Sequence, residues 1–97
     1  MYAQVMTTEA EPGLVLDEEE TVKLWQDHFS ETFKGAEGFK GAYVLGNPGD
    51  RQGITITLWE SEEHADNSAA LDLVLRHIRD SLGGRPVIEG YKVIFHA

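Results

Sequence analysis

Few side chains in this sequence can move a proton or hold a ligand near neutral pH, and their spacing excludes most familiar chemistry. Four histidines occur: His28, His64, His77 and His96. No two stand at a zinc-binding spacing such as HExxH, so the sequence predicts no metal site. Cysteine is absent, which removes thiolate nucleophiles, disulfides and Cys-ligated zinc or iron–sulfur centres. Ser30, Ser61, Ser68 and Ser81 lack the elbow that exposes a hydrolase nucleophile. Gly83-Gly84-Arg85-Pro86 has no following helix to aim N–H groups at a phosphate. Asp17-Glu18-Glu19-Glu20 lacks calcium-loop spacing and suits the start of a helix, where the dipole favours negative charge.

General acid–base chemistry is what remains. His28 lies one turn beyond Trp25 on a helical stretch and is the candidate base, since an imidazole ordinarily titrates near ~6.5. The border of an amphipathic helix explains that position equally well. Glu60 and His64 are four residues apart and could share a proton or weakly hold a metal, although such pairs are ordinary helix decoration. Tyr43 and Tyr91 are either pocket hydroxyls or sheet packing, and packing is the simpler reading.

The elements that must position these groups follow from periodicity. Tyr2 to Thr7 reads as a first strand, with Tyr2, Gln4 and Met6 on one side. Pro12 breaks the connection that follows. Asp17 with Glu20 forms a capping-box-like helix start, and Val22, Trp25, Phe29 and Phe33 draw one apolar stripe until Gly35. Two strand-like runs then flank Asn47-Pro48-Gly49-Asp50 and Gly53, all reversal residues. Ile54, Ile56 and Leu58 alternate with Thr55, Thr57 and Trp59 in the second run. Ser61 offers an N-cap to a second helix over 61–82, with Leu71, Val74, Leu75, Ile78 and Leu82 inward and Gly83-Gly84 as its stop. A last strand runs over 87–96. The order is β-α-β-β-α-β, which predicts a ferredoxin-like α+β fold with a four-stranded antiparallel sheet.

Composition bounds the partners. Ninety-seven residues allow a single domain over 1–97, and a chain this short buries only roughly 60–65% of its unfolded surface. Seventeen acidic against eight basic residues give a formal charge of −9, which opposes nucleic acid and anionic membranes. No basic region precedes an apolar core at the N-terminus, and no apolar run approaches the ~20 residues that span a bilayer. A cytoplasmic protein is expected. Both faces of the last strand carry apolar residues, Ile88 and Ile94 opposite Val87, Val93 and Phe95. A sheet face open to water should alternate more cleanly, so a second subunit is the expected cover.

Gly38-Phe39-Lys40-Gly41-Ala42 and Thr57-Leu58-Trp59-Glu60-Ser61-Glu62-Glu63 resemble the dimeric α/β-barrel superfamily, specifically its antibiotic biosynthesis monooxygenase-like family. The resemblance implies a homodimer packed sheet to sheet, with a pocket between helices and sheet. Its members include cofactor-independent oxygenases of aromatic polyketides, haem-degrading enzymes and small proteins without an assigned role. Trp59 matches the tryptophan that often lines that pocket, although a core role explains it too. Thr55 stands where the oxygenase branch has an asparagine, and His64 and Ala65 stand near its tyrosine. Arg79, or less well Arg76, is the counterpart of its arginine, unless it is only a solvated charge. The haem branch fits worse. Its iron-ligand stretch reads Asn67-Ser68-Ala69-Ala70 here, and Gln4 replaces its first-strand asparagine.

The expectation is a cofactor-independent monooxygenase or related oxidoreductase acting on a small aromatic substrate, with no metal or other cofactor. His28, His64 and Arg79 are its candidate catalytic residues, and Trp59, Thr55 and Tyr43 its candidate substrate contacts. The alternative is a noncatalytic homodimer that binds a small ligand or serves as an assembly module.

Overall fold

The structure, a computed structural model, describes residues 1–11, 13, 17–47, 49–81 and 86–97. Strand β1 (Tyr2–Glu9) is followed by α1 (Glu18–Leu24), a π-helical turn (Trp25–Phe29) and α2 (Ser30–Lys34). The hairpin β2 (Phe39–Gly46) and β3 (Gln52–Trp59) leads to α3 (Glu62–Asp66), α4 (Ala69–Ser81) and β4 (Val87–Lys92). The four strands form one antiparallel sheet in the order β2-β3-β1-β4. This is the ferredoxin-like arrangement that the element order implied.

Local chemistry explains the joints. Asp17 accepts the Glu20 N–H at 2.9 Å and so caps α1. Ser61 caps α3 through the His64 N–H at 3.3 Å. The hairpin turn closes with the Asp50 N–H on the Asn47 carbonyl at 3.0 Å, and Gly49 takes a φ of 91° that a Cβ would disfavour. Pro12, Pro48, Leu82 and Gly83-Gly84, which also entered the sequence reading, lie outside the described residues.

Two boundaries differ from expectation. The helix expected over 61–82 is two helices, broken at Asn67-Ser68. The Ser68 hydroxyl accepts the Ala70 N–H at 3.2 Å, so a side chain starts α4 where a continuous helix would have used a carbonyl. The last strand ends at Lys92 rather than reaching residue 96. Lys92 already stands opposite Tyr2, and the Val93 N–H reaches only the Met1 carbonyl, at 2.9 Å.

The core lies between the helices and one sheet face. Met6, Phe29, Phe33, Trp59, Ala65, Ala70, Val74 and Ile78 are its buried members. Pairing places Gln4, Met6 and Thr8 of β1 beside Thr57 and Thr55 of β3 on that face. The alternate set, including Val5, Ile54, Ile56 and Leu58, faces away from the helices. Tyr43, Leu45, Val87 and Tyr91 extend this second face across the outer strands and remain exposed.

Candidate functional site

The π-helical turn brings Trp25 and Phe29 together, ring centroids 5.1 Å apart and edge to face. Such an insertion widens a helix locally and shifts which side chains share a face. On the facing helix α4, Ala70, Val74 and Ile78 recur every four residues and are buried. His77 lies three residues past Val74, on the edge of the same stripe. Its imidazole is half-buried and stands edge-on to Phe29 at 5.6 Å.

Between these helices and the hairpin end of the sheet opens a cleft of about 840 Å³. Trp25, Phe29, Val74 and Ile78 supply apolar wall, and Thr8, Thr55 and His77 supply polar groups. Arg51 also lines it, but its guanidinium is engaged: Nε donates to the Ala10 carbonyl at 3.0 Å and a terminal nitrogen to Glu9 at 3.2 Å. Asp17, Glu18 and Glu20 line it from the start of α1. A mostly apolar wall with a few convergent polar groups is the usual build of a small-molecule site.

A second, smaller cavity of about 490 Å³ lies beside the α3–α4 break. His64 lines it, with Nδ1 at 2.7 Å from the Ser61 hydroxyl and Nε2 at 3.9 Å from Glu37. The imidazole therefore engages Ser61 and Glu37, not Glu60 as the sequence spacing suggested. Gly38 makes that placement possible. Its φ is 78°, and a Cβ there would stand 2.4 Å from the His64 Cγ. The Asn67–Ala70 stretch at the same break offers no imidazole.

The residues singled out in the sequence do not converge. Thr55 lines the larger cleft and His64 the smaller cavity. Trp59 is fully buried, lines neither, donates its indole N–H to the Thr57 hydroxyl at 2.9 Å, and packs edge-on to Phe39 at 5.4 Å. His28 is exposed and borders neither cavity. Arg79 follows the buried Ile78, is exposed, and stands 3.7 Å from Asp80. Tyr43 pairs with Ile56 and so lies on the sheet face away from the helices. Trp25, His77, Gln26 and Arg51 line the cleft without having been singled out as site residues. His77 was readable from its phase against Val74; Arg51 was not, because its position depends on the pairing of β1 with β3.

Two phenols are electrostatically perturbed. Partial burial, then the charges of Glu62 and Asp66, raise the Tyr2 pKa. A hydrogen bond to Glu89, then that carboxylate's charge, raises the Tyr91 pKa.

No family model and no curated protein matches the sequence. Solved structures do. A monooxygenase of Streptomyces coelicolor, from the gene ActVA-Orf6 and in complex with nanaomycin D, superposes with a TM-score of 0.68 at 17% identity, covering 99% of this chain and 89% of that one. The fold is that of the antibiotic biosynthesis monooxygenase-like proteins. The haem degrader MhuD of Mycobacterium tuberculosis, with two haems bound, gives 0.68 at 19% identity, covering 100% and 99%. SnoaB, a cofactor-independent oxygenase of Streptomyces nogalater, gives 0.69 at 12% identity, covering 98% and 94%. Monooxygenases and a haem degrader thus stand equally near, and their shared fold does not choose between their chemistries.

Proposed function

We propose that this chain is a monooxygenase-like protein whose helix–sheet cleft takes a small, planar aromatic substrate without a metal or organic cofactor. The observation that carries this is the cleft of about 840 Å³ walled by Trp25 and Phe29, with Thr55 and His77 inside. Aromatic walls favour a flat ring by offset or edge-to-face contact. The fold's occurrence in a monooxygenase and a cofactor-independent oxygenase supports the same direction.

The reaction is one in which the substrate itself reduces oxygen. An acidic ring methylene loses a proton to His77, and the carbanion adds dioxygen to form a C–O bond. The resulting peroxide then loses water. In balance, one methylene and one dioxygen become one carbonyl and one water, the methylene carbon being oxidised and the oxygen reduced. The cleft orients the ring and excludes water, His77 accepts the proton, and Thr55 donates a hydrogen bond to a ring oxygen. Anthrone tests this, since its oxidation to anthraquinone is followed by absorbance and by uptake of one dioxygen per quinone. His77→Ala should slow turnover by ~10²- to 10⁴-fold, the usual weight of a general base. No acceleration over buffer by the unaltered protein would remove the enzymatic reading.

A second reading, a noncatalytic homodimer that binds a small ligand or serves in assembly, is favoured by Trp59. Its complete burial and internal hydrogen bond leave the family's usual pocket position filled. Either reading includes a dimer through the sheet face away from the helices, where Tyr43, Leu45, Val87 and Tyr91 are exposed. Sedimentation velocity at tens of micromolar checks this, and a purely monomeric species would refute it. The cysteine-free sequence suits a reducing cytoplasm.

A further inference from the structure

The cleft walled by Trp25 and Phe29 is charged at one end. Asp17, Glu18 and Glu20 line it from the start of α1, and among the described residues Arg51 is the only Lys or Arg that lines it. Both groups that could receive an anion there are already taken. The Arg51 guanidinium holds the Ala10 carbonyl at 3.0 Å and the Glu9 carboxylate at 3.2 Å. At the start of α1, the Glu20 N–H is held by the Asp17 side chain at 2.9 Å and the Thr21 N–H by the Asp17 carbonyl at 3.0 Å. No described residue forms an ion pair with Asp17, Glu18 or Glu20.

Low-dielectric walls focus such a field into a cleft, where it acts on a ligand more strongly than on an open surface. Glu18 precedes Trp25 by seven residues, two turns of helix and ~10 Å of rise, so the two lie on one side of the helix. A two-ring ligand against Trp25 therefore directs a substituent towards these carboxylates.

We infer that the cleft selects planar aromatic ligands with a cationic, amine-type substituent and rejects those with a carboxylate, Glu18 and Glu20 setting the preference. This rests on the helix–sheet cleft being the ligand site, as proposed above, and adds the charge of the substrate to it.

The test titrates three naphthalenes alike in shape and different in charge: 1-naphthylmethylamine, which is protonated near neutral pH, uncharged 1-naphthylmethanol, and 1-naphthoate. Calorimetry at ~10 mM ionic strength, where the screening length is ~30 Å, gives the affinities, and the Trp25 indole resonance shows that each ligand occupies the cleft. The amine should bind at least ~10-fold more tightly than the alcohol, equivalent to ~1.4 kcal/mol, and the naphthoate at least ~10-fold more weakly. Glu18→Gln/Glu20→Gln should cut the amine-to-alcohol ratio to ~3-fold or less. Asp17 is kept because it caps α1. Glu19→Gln/Glu31→Gln removes the same formal charge from exposed positions that line neither cavity, and should leave the ratio where it was. A fall of the ratio in this control pair as large as in Glu18→Gln/Glu20→Gln would assign the preference to the overall charge of −9 and overturn the inference. Equal affinities for the three ligands, or a tighter naphthoate, would overturn it while leaving the cleft as the ligand site. A Trp25 resonance that none of the three ligands moves would overturn both.

Discussion

Replacing Trp59 by phenylalanine tests whether this tryptophan is core, and the structure sets the size of the effect. The indole is fully buried against Phe39 and Phe33, and its N–H donates to the Thr57 hydroxyl at 2.9 Å. Phenylalanine leaves a void of ~40 Å³, which at ~24 cal/mol per Å³ costs ~1 kcal/mol, with a further ~1 kcal/mol of lost transfer energy. The Thr57 hydroxyl, itself buried, loses its partner and adds ~1 kcal/mol. Trp59→Phe should therefore destabilise by ~3 kcal/mol. Thr57→Val leaves the indole N–H buried without an acceptor and should cost ~2 kcal/mol. The double variant contains neither orphaned group, so its cost should stay near the ~2 kcal/mol of void and transfer rather than reach ~5, a coupling of ~3 kcal/mol. Urea unfolding followed by far-UV circular dichroism, at one fixed protein concentration, measures all three. Additive costs within ~0.5 kcal/mol would show that the hydrogen bond is not formed. A Trp59→Phe cost below ~1 kcal/mol, with ligand affinity falling tenfold, would return Trp59 to the ligand site.

Two further outcomes follow from local geometry. Gly38→Ala should cost more than ~2 kcal/mol in the same unfolding assay, because a Cβ meets His64 at 2.4 Å and an L-residue resists a φ of 78°. His64→Ala in that background should recover only part, relieving the ring contact but not the backbone, and tolerance within ~0.5 kcal/mol would refute the placement of His64. Because the Tyr91 pKa is raised on folding, its contribution is fully present below the ordinary phenol pKa of ~10 and is lost as pH rises through the folded value. Tyrosinate absorbance should show a phenol titrating late and shifting downward in Glu89→Gln; no shift would remove Glu89 as the cause.

Most of the fold was legible because its signals are local. The Asp17 and Ser61 caps, the turn at Asn47 to Asp50 and the alternation of Ile54 to Trp59 each act within a few residues. The break at Asn67-Ser68 was missed because the stripe from Leu71 to Ile78 marks a helix without marking where it starts, while one hydroxyl sets that start. The end of β4 depends on where β1 begins, a non-local fact that alternation cannot carry. The cleft was the least legible. Thr55 reached it by strand phase, but Trp25 and His77 meet there only because a π-helical turn and α4 face each other. Trp59 and Tyr43 illustrate the converse, since an aromatic side chain on a strand reads the same whether it fills a core, a pocket or an interface.

The two tryptophans provide the most direct measurement. Each indole N–H gives its own resonance in a ¹H–¹⁵N correlation spectrum, assignable from Trp25→Phe and Trp59→Phe. Titration with 1-naphthol, a small planar phenol, should shift the Trp25 resonance saturably, since Trp25 walls the cleft of about 840 Å³. The Trp59 resonance, held on the Thr57 hydroxyl in the buried core, should stay in place. A saturable shift of Trp59 with Trp25 unmoved, or no shift of either up to the solubility limit, would contradict the cleft as the binding site.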